Sequence, residues 1–463
     1  MDARTLRSKI AHPIIDADGH LMEFIPVIVE TVCEIGGKDT QLKFEKYLAE
    51  TLNASGHVLG RTRVYWAIPE AHTLDRMTVT LPQLTYERLP EMGVDFALLY
   101  PSFGLTVLSY QDHELRQVCT RALNTYYARS YEGMRDRLEP VALIPLNSVD
   151  EALEELDYAV GTLGLKAIVS SGVIHRKNHD DREWIDTLGI DSAYDYDPVW
   201  AKCAAYQVVP SFHGVGYGWG TRQSPENYVY NHLGSFAAAQ EAVCRSLIMG
   251  GVCRRFPTLK FNFLEGGVSW AAQLYADLLG HYEKRNKDSV QKCNPEHFDI
   301  DLCSKLIDAY GPSEMREAKP AYLDIARLQK ARSREDKASH DDFHLSGIDR
   351  PEDIVEVFTE QLFFGCEADD PLNALAFNNT LLPYSLSLNA MFASDIGHWD
   401  VPDMKYVLNE AWKLVEKGLF NSDEFRKFTF GNVAKMLSSV NPGFFADTCI
   451  ASAGVDGARS CTP

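Results

Sequence analysis

The 463-residue chain carries 45 basic against 65 acidic residues, and its formal net charge of -20 excludes the basic footprint that nucleic acid or an anionic membrane surface requires. Hydrophobic residues at 45% and charged residues at 24% match ordinary globular usage, which excludes a disordered chain and supplies a large core. No apolar run reaches the roughly 18 residues of a membrane span, and residues 1–12 lack the apolar centre of a signal peptide, so a cytoplasmic protein acting on a small molecule is expected.

The first element is Ile14-Ile15-Asp16-Ala17-Asp18-Gly19-His20, where β-branched residues run into alternating carboxylates and an imidazole. Strand alternation puts Asp18 and His20 on one side of its C-terminal end. Residues 24–80 show little strand alternation and a helix-like centre, an insertion expected to lie over the first strand as a lid. A helix over 81–92 then leads to an apolar strand over 94–100, closed by Pro101. The same beat returns with helix 110–135 and strand 138–146, then helix 149–163 and strand 165–169. Asp197 caps the next helix, Pro198 suits its first turn, and strand 207–213 follows. A long helix over 234–256, stopped by Pro257, leads to strand 259–265 and helix 269–287. The charged stretch 286–350 reads as a second, helical and partly solvated insertion. Strands over 361–365 and 388–394 and a helix over 404–416 complete the pattern.

Eight strands separated by helices are the signature of a closed (β/α)8 TIM barrel with two insertions. A doubly wound open sheet is the other reading, but no GxGxxG follows the first strand. The barrel is expected over 13–440, interrupted at 24–80 and 286–350, with a C-terminal tail over 441–463. In a barrel the C-terminal strand ends converge on one mouth. Strand one brings Asp18 and His20 there; strand five ends in Phe212-His213-Gly214, strand six in Leu264-Glu265-Gly266-Gly267 and strand eight in Ser394-Asp395. Buried unpaired carboxylates and imidazoles are costly, so such a set implies mutual pairing or a cation.

These stretches, together with Arg254-Arg255-Phe256-Pro257 before strand six and Ile396-Gly397-His398-Trp399-Asp400 after strand eight, resemble the amidohydrolase superfamily. Within it they are similar to the amidohydrolase-2 branch, which includes the aminocarboxymuconate semialdehyde decarboxylases. The resemblance implies a metal-bearing barrel. It puts the branch's His-x-His on Asp18 and His20, its strand-five ligand on His213 and its strand-eight aspartate on Asp395. Two departures stand out: Asp18 replaces a histidine, and Glu265 stands where a catalytic histidine is expected. Loss of that histidine weakens a plain decarboxylase and adds an anionic ligand candidate.

Three carboxylates with two imidazoles form a hard donor set that suits iron or manganese, with zinc also open, as one ion or two. Glu23, His232 and His398 are reserve ligands or partners of ligands. The loop 214–233 interleaves four glycines with Tyr217 and Trp219 and reads as a flexible aromatic lid, since it lacks the helix start and lysine of a phosphate cradle. His175, Arg176, Trp219 and Arg222 are candidates for substrate contact, against the alternative of solvated loop residues.

The reading reached is a metal-dependent hydrolase of a small organic substrate, with Asp18, His20, His213 and Asp395 as ligands. Asp395 or Glu265 would take the proton from the attacking water. A decarboxylase, an oxygenase at a dinuclear iron or iron-manganese site, and a non-catalytic barrel subunit of a hetero-oligomer are the alternatives. A homo- or hetero-oligomer, most simply a dimer, is expected.

Overall fold

In a computed structural model that describes residues 1–53, 72–177, 180–216, 218–335 and 341–453, the run expected as strand one forms β1 (Ile15–Leu21). All seven of its residues are buried, as a stave filled from inside and covered by helices from outside requires. It pairs in parallel with β2 (Phe96–Pro101), which pairs with β3 (Leu138–Pro140). Pro140 has no N–H to continue the ladder, and after Val141 the same stave resumes as β4 (Ala142–Leu143). There it changes neighbours: Val141 N donates to Leu99 O at 3.0 Å, whereas Ala142 N donates to Ala167 O at 2.9 Å.

β4 pairs with β5 (Ile168–Ser170), after which β6 (Ile174–Lys177) and β7 (Glu183–Asp186) form an antiparallel hairpin of their own. The barrel resumes with β8 (Pro210–Phe212), β9 (Phe261–Phe263), β10 (Leu362–Glu367) and β11 (Asn389–Ala393), all parallel. Backbone hydrogen bonds join the first and last staves, Asp395 N to Asp18 O at 2.9 Å and His20 N to Ile396 O at 3.0 Å. The chain is thus a (β/α)8 barrel, with staves at the eight expected places.

Local chemistry sets the helices between staves. Asp112 and Ser148 accept from backbone N–H groups three residues on and cap the helices His113–Ser130 and Val149–Leu156. The helix expected over 234–256 is instead two, Ser235–Met249 and Val252–Arg255. The break falls at Gly250-Gly251, where Gly251 takes φ +75° and leaves the helical region. The first insertion contains the helix Ile25–Asn53, kinked at Gly37, and the helix Thr73–Thr80. Its part over 54–71, Tyr217 and the tail beyond 453 lie outside the described residues.

The chain divides into two compact units, Met1–Leu274 with Val355–Pro463, and Tyr275–Ile354. The second is helical, built on Ile300–Tyr310 and Ser313–Glu335, with Tyr282 packed edge-on against Phe343 at 5.2 Å. Among the described residues no helix is long and apolar enough to cross a membrane.

Candidate metal centre

A register shift between Asp16 and Gly19 interrupts the alternation of β1. Such bulges re-aim side chains next to functional sites. Here it separates the duties of the two aspartates. Asp16 accepts from Ser394 N at 2.9 Å and from the Ser394 hydroxyl, tying β1 to the end of β11. Asp18 is released from that role, and both of its carboxylate oxygens are buried without a hydrogen bond.

The strand ends bring the five expected groups together. His20 Nε2 lies 3.6 Å from Asp18 Oδ1, 3.4 Å from Asp395 Oδ1 and 3.3 Å from His213 Nε2. His213 Nε2 lies 2.9 Å from Glu265 Oε2. His398 joins them, its Nδ1 2.6 Å from Asp395 Oδ1 and 4.0 Å from Glu265 Oε1. Donor atoms within 4.8 Å of one another form three groups: Asp18, His20 and His213; His20, Glu265, Asp395 and His398; and Glu367, Asp395 and Asp400.

Glu265 and Asp395 both have left-handed backbone, at φ +57° and +51°. That region is costly for glutamate, less so for aspartate, and persists where surrounding structure imposes it. Each residue sits two positions past its stave, where the chain turns over the mouth.

The electrostatics suit a site that holds a cation. Burial pushes the Asp18 carboxyl well above the usual range, with Glu265 and Asp16 adding to the effect against His213. Asp395 and Glu367 are pushed up in the same way, by burial and then by neighbouring carboxylates. Burial lowers His20 well below the ordinary imidazole value and His398 to about 3, with other histidines adding to it. His213 runs the other way: burial alone would lower it, but Glu265 raises it overall. Neutral His20 and His398 are already in the ligand form, and a divalent ion would restore the carboxylates to theirs. Carboxylate and imidazole donors together suit a divalent transition ion.

The other expected residues are placed differently. Glu23 accepts from Phe103 N at 2.9 Å, Gly104 N at 2.7 Å and the Tyr127 hydroxyl at 2.9 Å, so its carboxylate anchors the loop after β2. His232 packs between Phe236 and Trp399, its ring centre 5.5 and 5.6 Å from theirs, and acts on His398 through space. His175 is exposed on β6. Arg176 is held within its hairpin and neighbouring loop, donating to Asp186 at 2.5 Å, Asn147 O at 2.9 Å and the Tyr196 hydroxyl at 2.7 Å. Trp219 borders a cleft with Ile185, Ile190 and Met249, which contains none of the donor groups, and Arg222 donates to Gly234 O at 3.1 Å. The loop after β8 therefore does not bring Trp219 over the site, and its end is ordered as the helix Tyr228–His232.

Because Asp186 is fully buried and paired with the mostly covered Arg176, Arg176→Met is expected to lower stability by about 3 kcal/mol and to leave metal content unchanged. Thermal unfolding beside metal analysis checks this.

Sequence reasoning missed Glu367 and Asp400. The signal for Glu367 was present: the apolar run of β10 continues past Gly365 through Cys366 and ends on a carboxylate, as the run of β11 leads to Asp395. Asp400 belongs to no stave, and only the turn after β11 brings it near.

A search of curated proteins finds no match. A 2,6-dihydroxybenzoate decarboxylase solved with 2,6-dihydroxybenzoate is 13% identical, with 92% of this chain and 99% of that one covered, at a TM-score of 0.52. A manganese-bound 5-carboxyvanillate decarboxylase from Novosphingobium aromaticivorans is 12% identical, with 92% and 97% covered, at 0.50. A manganese-bound dihydroxybenzoic acid decarboxylase from Polaromonas is 14% identical, with the same coverage, also at 0.50. At these identities the likeness speaks for the fold, and it agrees with the barrel. The sequence itself matches the family model described as amidohydrolase over residues 15–287, more than half its length, and so the chain belongs to the amidohydrolase family of metal-dependent enzymes.

Proposed function

We propose that the chain is a metal-dependent hydrolase of a small uncharged substrate such as an ester, amide or lactone. The observation that carries this reading is the surplus of carboxylates at the mouth. Asp18, Glu265, Asp395 and Glu367 converge there with Asp400, and the groups acting on them are histidines and further acids. Once metal binding has ionised them, these five carboxylates outweigh one divalent ion and still outweigh two. Like charges about 4 Å apart repel by about 4 kcal/mol at an effective dielectric near 20, so a substrate carboxylate is disfavoured and an uncharged carbonyl compound is not.

A divalent ion held by Asp18, His20, His213 and Asp395 would lower the pKa of a coordinated water to about 7 and polarise the scissile carbonyl. Asp395 or Glu265 would take the proton of the attacking water and return it to the leaving group, a role supported by their closeness to His398 and His213. Glu367, Asp395 and Asp400 form a further donor group, which supports two ions rather than one. Manganese, bound in two structural neighbours, and iron are the ions favoured by so many oxygen donors.

The second reading is decarboxylation of a small aromatic acid, the reaction named for the structural neighbours. Here Asp395 or Glu265, in its protonated form, would deliver the proton that replaces the departing carbon dioxide. Metal-loaded protein in 18O-water, given a panel of esters and lactones and a panel of hydroxybenzoic acids, separates the two. Hydrolysis puts one 18O into the product carboxylate of the first panel. Carbon dioxide released from the second panel, with no 18O in the remaining phenol, would overturn the hydrolase reading in favour of the decarboxylase.

A further inference from the structure

The helical unit Tyr275–Ile354 carries an apolar face that its own described helices do not cover. Its helices Ile300–Tyr310 and Ser313–Glu335 run back against each other around Gly311-Pro312. On the first, Leu302, Leu306 and Tyr310 recur every four residues and are all exposed, Tyr310 to 83%. On the second, Met315, Ala318, Tyr322 and Ile325 follow one another at spacings of three, four and three, and all four are exposed. The inner face of that helix is a different set, Leu323 and Ala326, which are buried. The two exposed stripes border a groove of about 830 Å³.

Alternating three- and four-residue spacing is the pattern by which one helix receives the side chains of another across a shallow left-handed crossing. An exposed seam of this kind on a soluble protein marks an interaction surface. Charge selects the occupant. Two copies of a chain with net charge -20 repel each other, so they meet at least cost where the surface is close to locally neutral. Residues 300–328 hold five acidic and four basic side chains, net -1 and so close to neutral. Several of these are paired within the hairpin: Lys319 Nζ contacts both carboxylate oxygens of Asp308 at 2.7 Å, and Arg327 contacts Asp324 at 2.7 Å. The same patch also offers both halves of a self-complementary contact, a groove between the helices and the projecting Tyr310 and Tyr322 to fill its counterpart, as a two-fold interface requires.

We propose that two copies of the chain associate through the 300–328 hairpin, seam against seam, to form a two-fold dimer. The association is independent of the reaction assigned to the barrel.

Sedimentation velocity on the full-length, metal-loaded protein at micromolar concentration is expected to show a dimer, and added salt to tighten it by screening the repulsion between like-charged copies. The double variant Tyr322→Glu, Ile325→Glu is expected to weaken association tenfold or more, with thermal unfolding and metal content unchanged. A monomeric wild type, a dimer that salt loosens, or a dimer that the variant leaves intact would each overturn the proposal. Should the variant fail to fold, hydrogen exchange on the wild type decides. Backbone amides over 302–325 exchange more slowly at high than at low protein concentration if the seam is the interface. Equal exchange overturns it.

Discussion

His213→Ala removes bound metal and turnover together while the barrel stays folded. The ring sits just past the last residue of β8, at the mouth rather than in the packed layers, so little apolar contact is lost with it. What is lost is the group that faces His20 Nε2 at 3.3 Å and pairs with Glu265 at 2.9 Å. Removing a partner of a ligand typically costs 10- to 100-fold in metal affinity, and removal of a ligand itself is expected to exceed about 100-fold. Metal analysis of the purified variant, beside its circular dichroism, reads both halves of the result. Full metal occupancy with normal folding would remove His213 from the site.

Glu265→Gln has the second largest expected effect, a loss of about tenfold or more in metal occupancy or turnover. Glu265 has two roles that this change separates. As the partner of His213 it needs only an oxygen that accepts a hydrogen bond, which glutamine keeps. As an anion among Asp18, Asp395 and Glu367 it needs a cation nearby, because carboxylates crowded together do not all ionise without one. Glutamine supplies no charge for that cation. Equilibrium dialysis with manganese distinguishes the cases: occupancy equal to that of the wild type would reduce Glu265 to a support for His213 and leave the two-ion reading without its strand-six donor.

The staves were legible because each is buried on both faces, so each appears as an almost continuous apolar run. The run Phe96–Pro101 and the run Leu362–Glu367 have no polar alternation to confuse them. The hairpin β6 and β7 was not legible, because half-exposed residues such as His175, Arg176 and Glu183 read as loop and only their pairing makes them strands. The same pairing explains Arg176. Its nearness in sequence to β5 suggested the mouth, whereas its place opposite Trp184 brings it to Asp186, a partner that spacing alone does not identify. Among the ligand-type residues, those one or two positions past a stave were found from sequence, because a barrel fixes where such positions go. Glu23 shows the limit of that rule: two positions past β1 and three past His20, it turns instead toward the amides of Phe103 and Gly104.

The left-handed backbone at 265 and 395 bears on how this protein would change under selection. Glutamate held at 265 costs about 1 to 2 kcal/mol that a glycine would not incur, whereas aspartate at 395 tolerates the conformation better. A buried carboxylate without its cation adds a further penalty in the same two places. Heat tolerance and chemistry therefore pull these codons in opposite directions. Laboratory evolution rewarded for survival at high temperature alone would drift toward glycine at 265 and asparagine at 395, yielding a sturdier barrel with nothing left to do. Retention of both acids in a lineage is thus a signature of continuing catalytic use, readable without any assay.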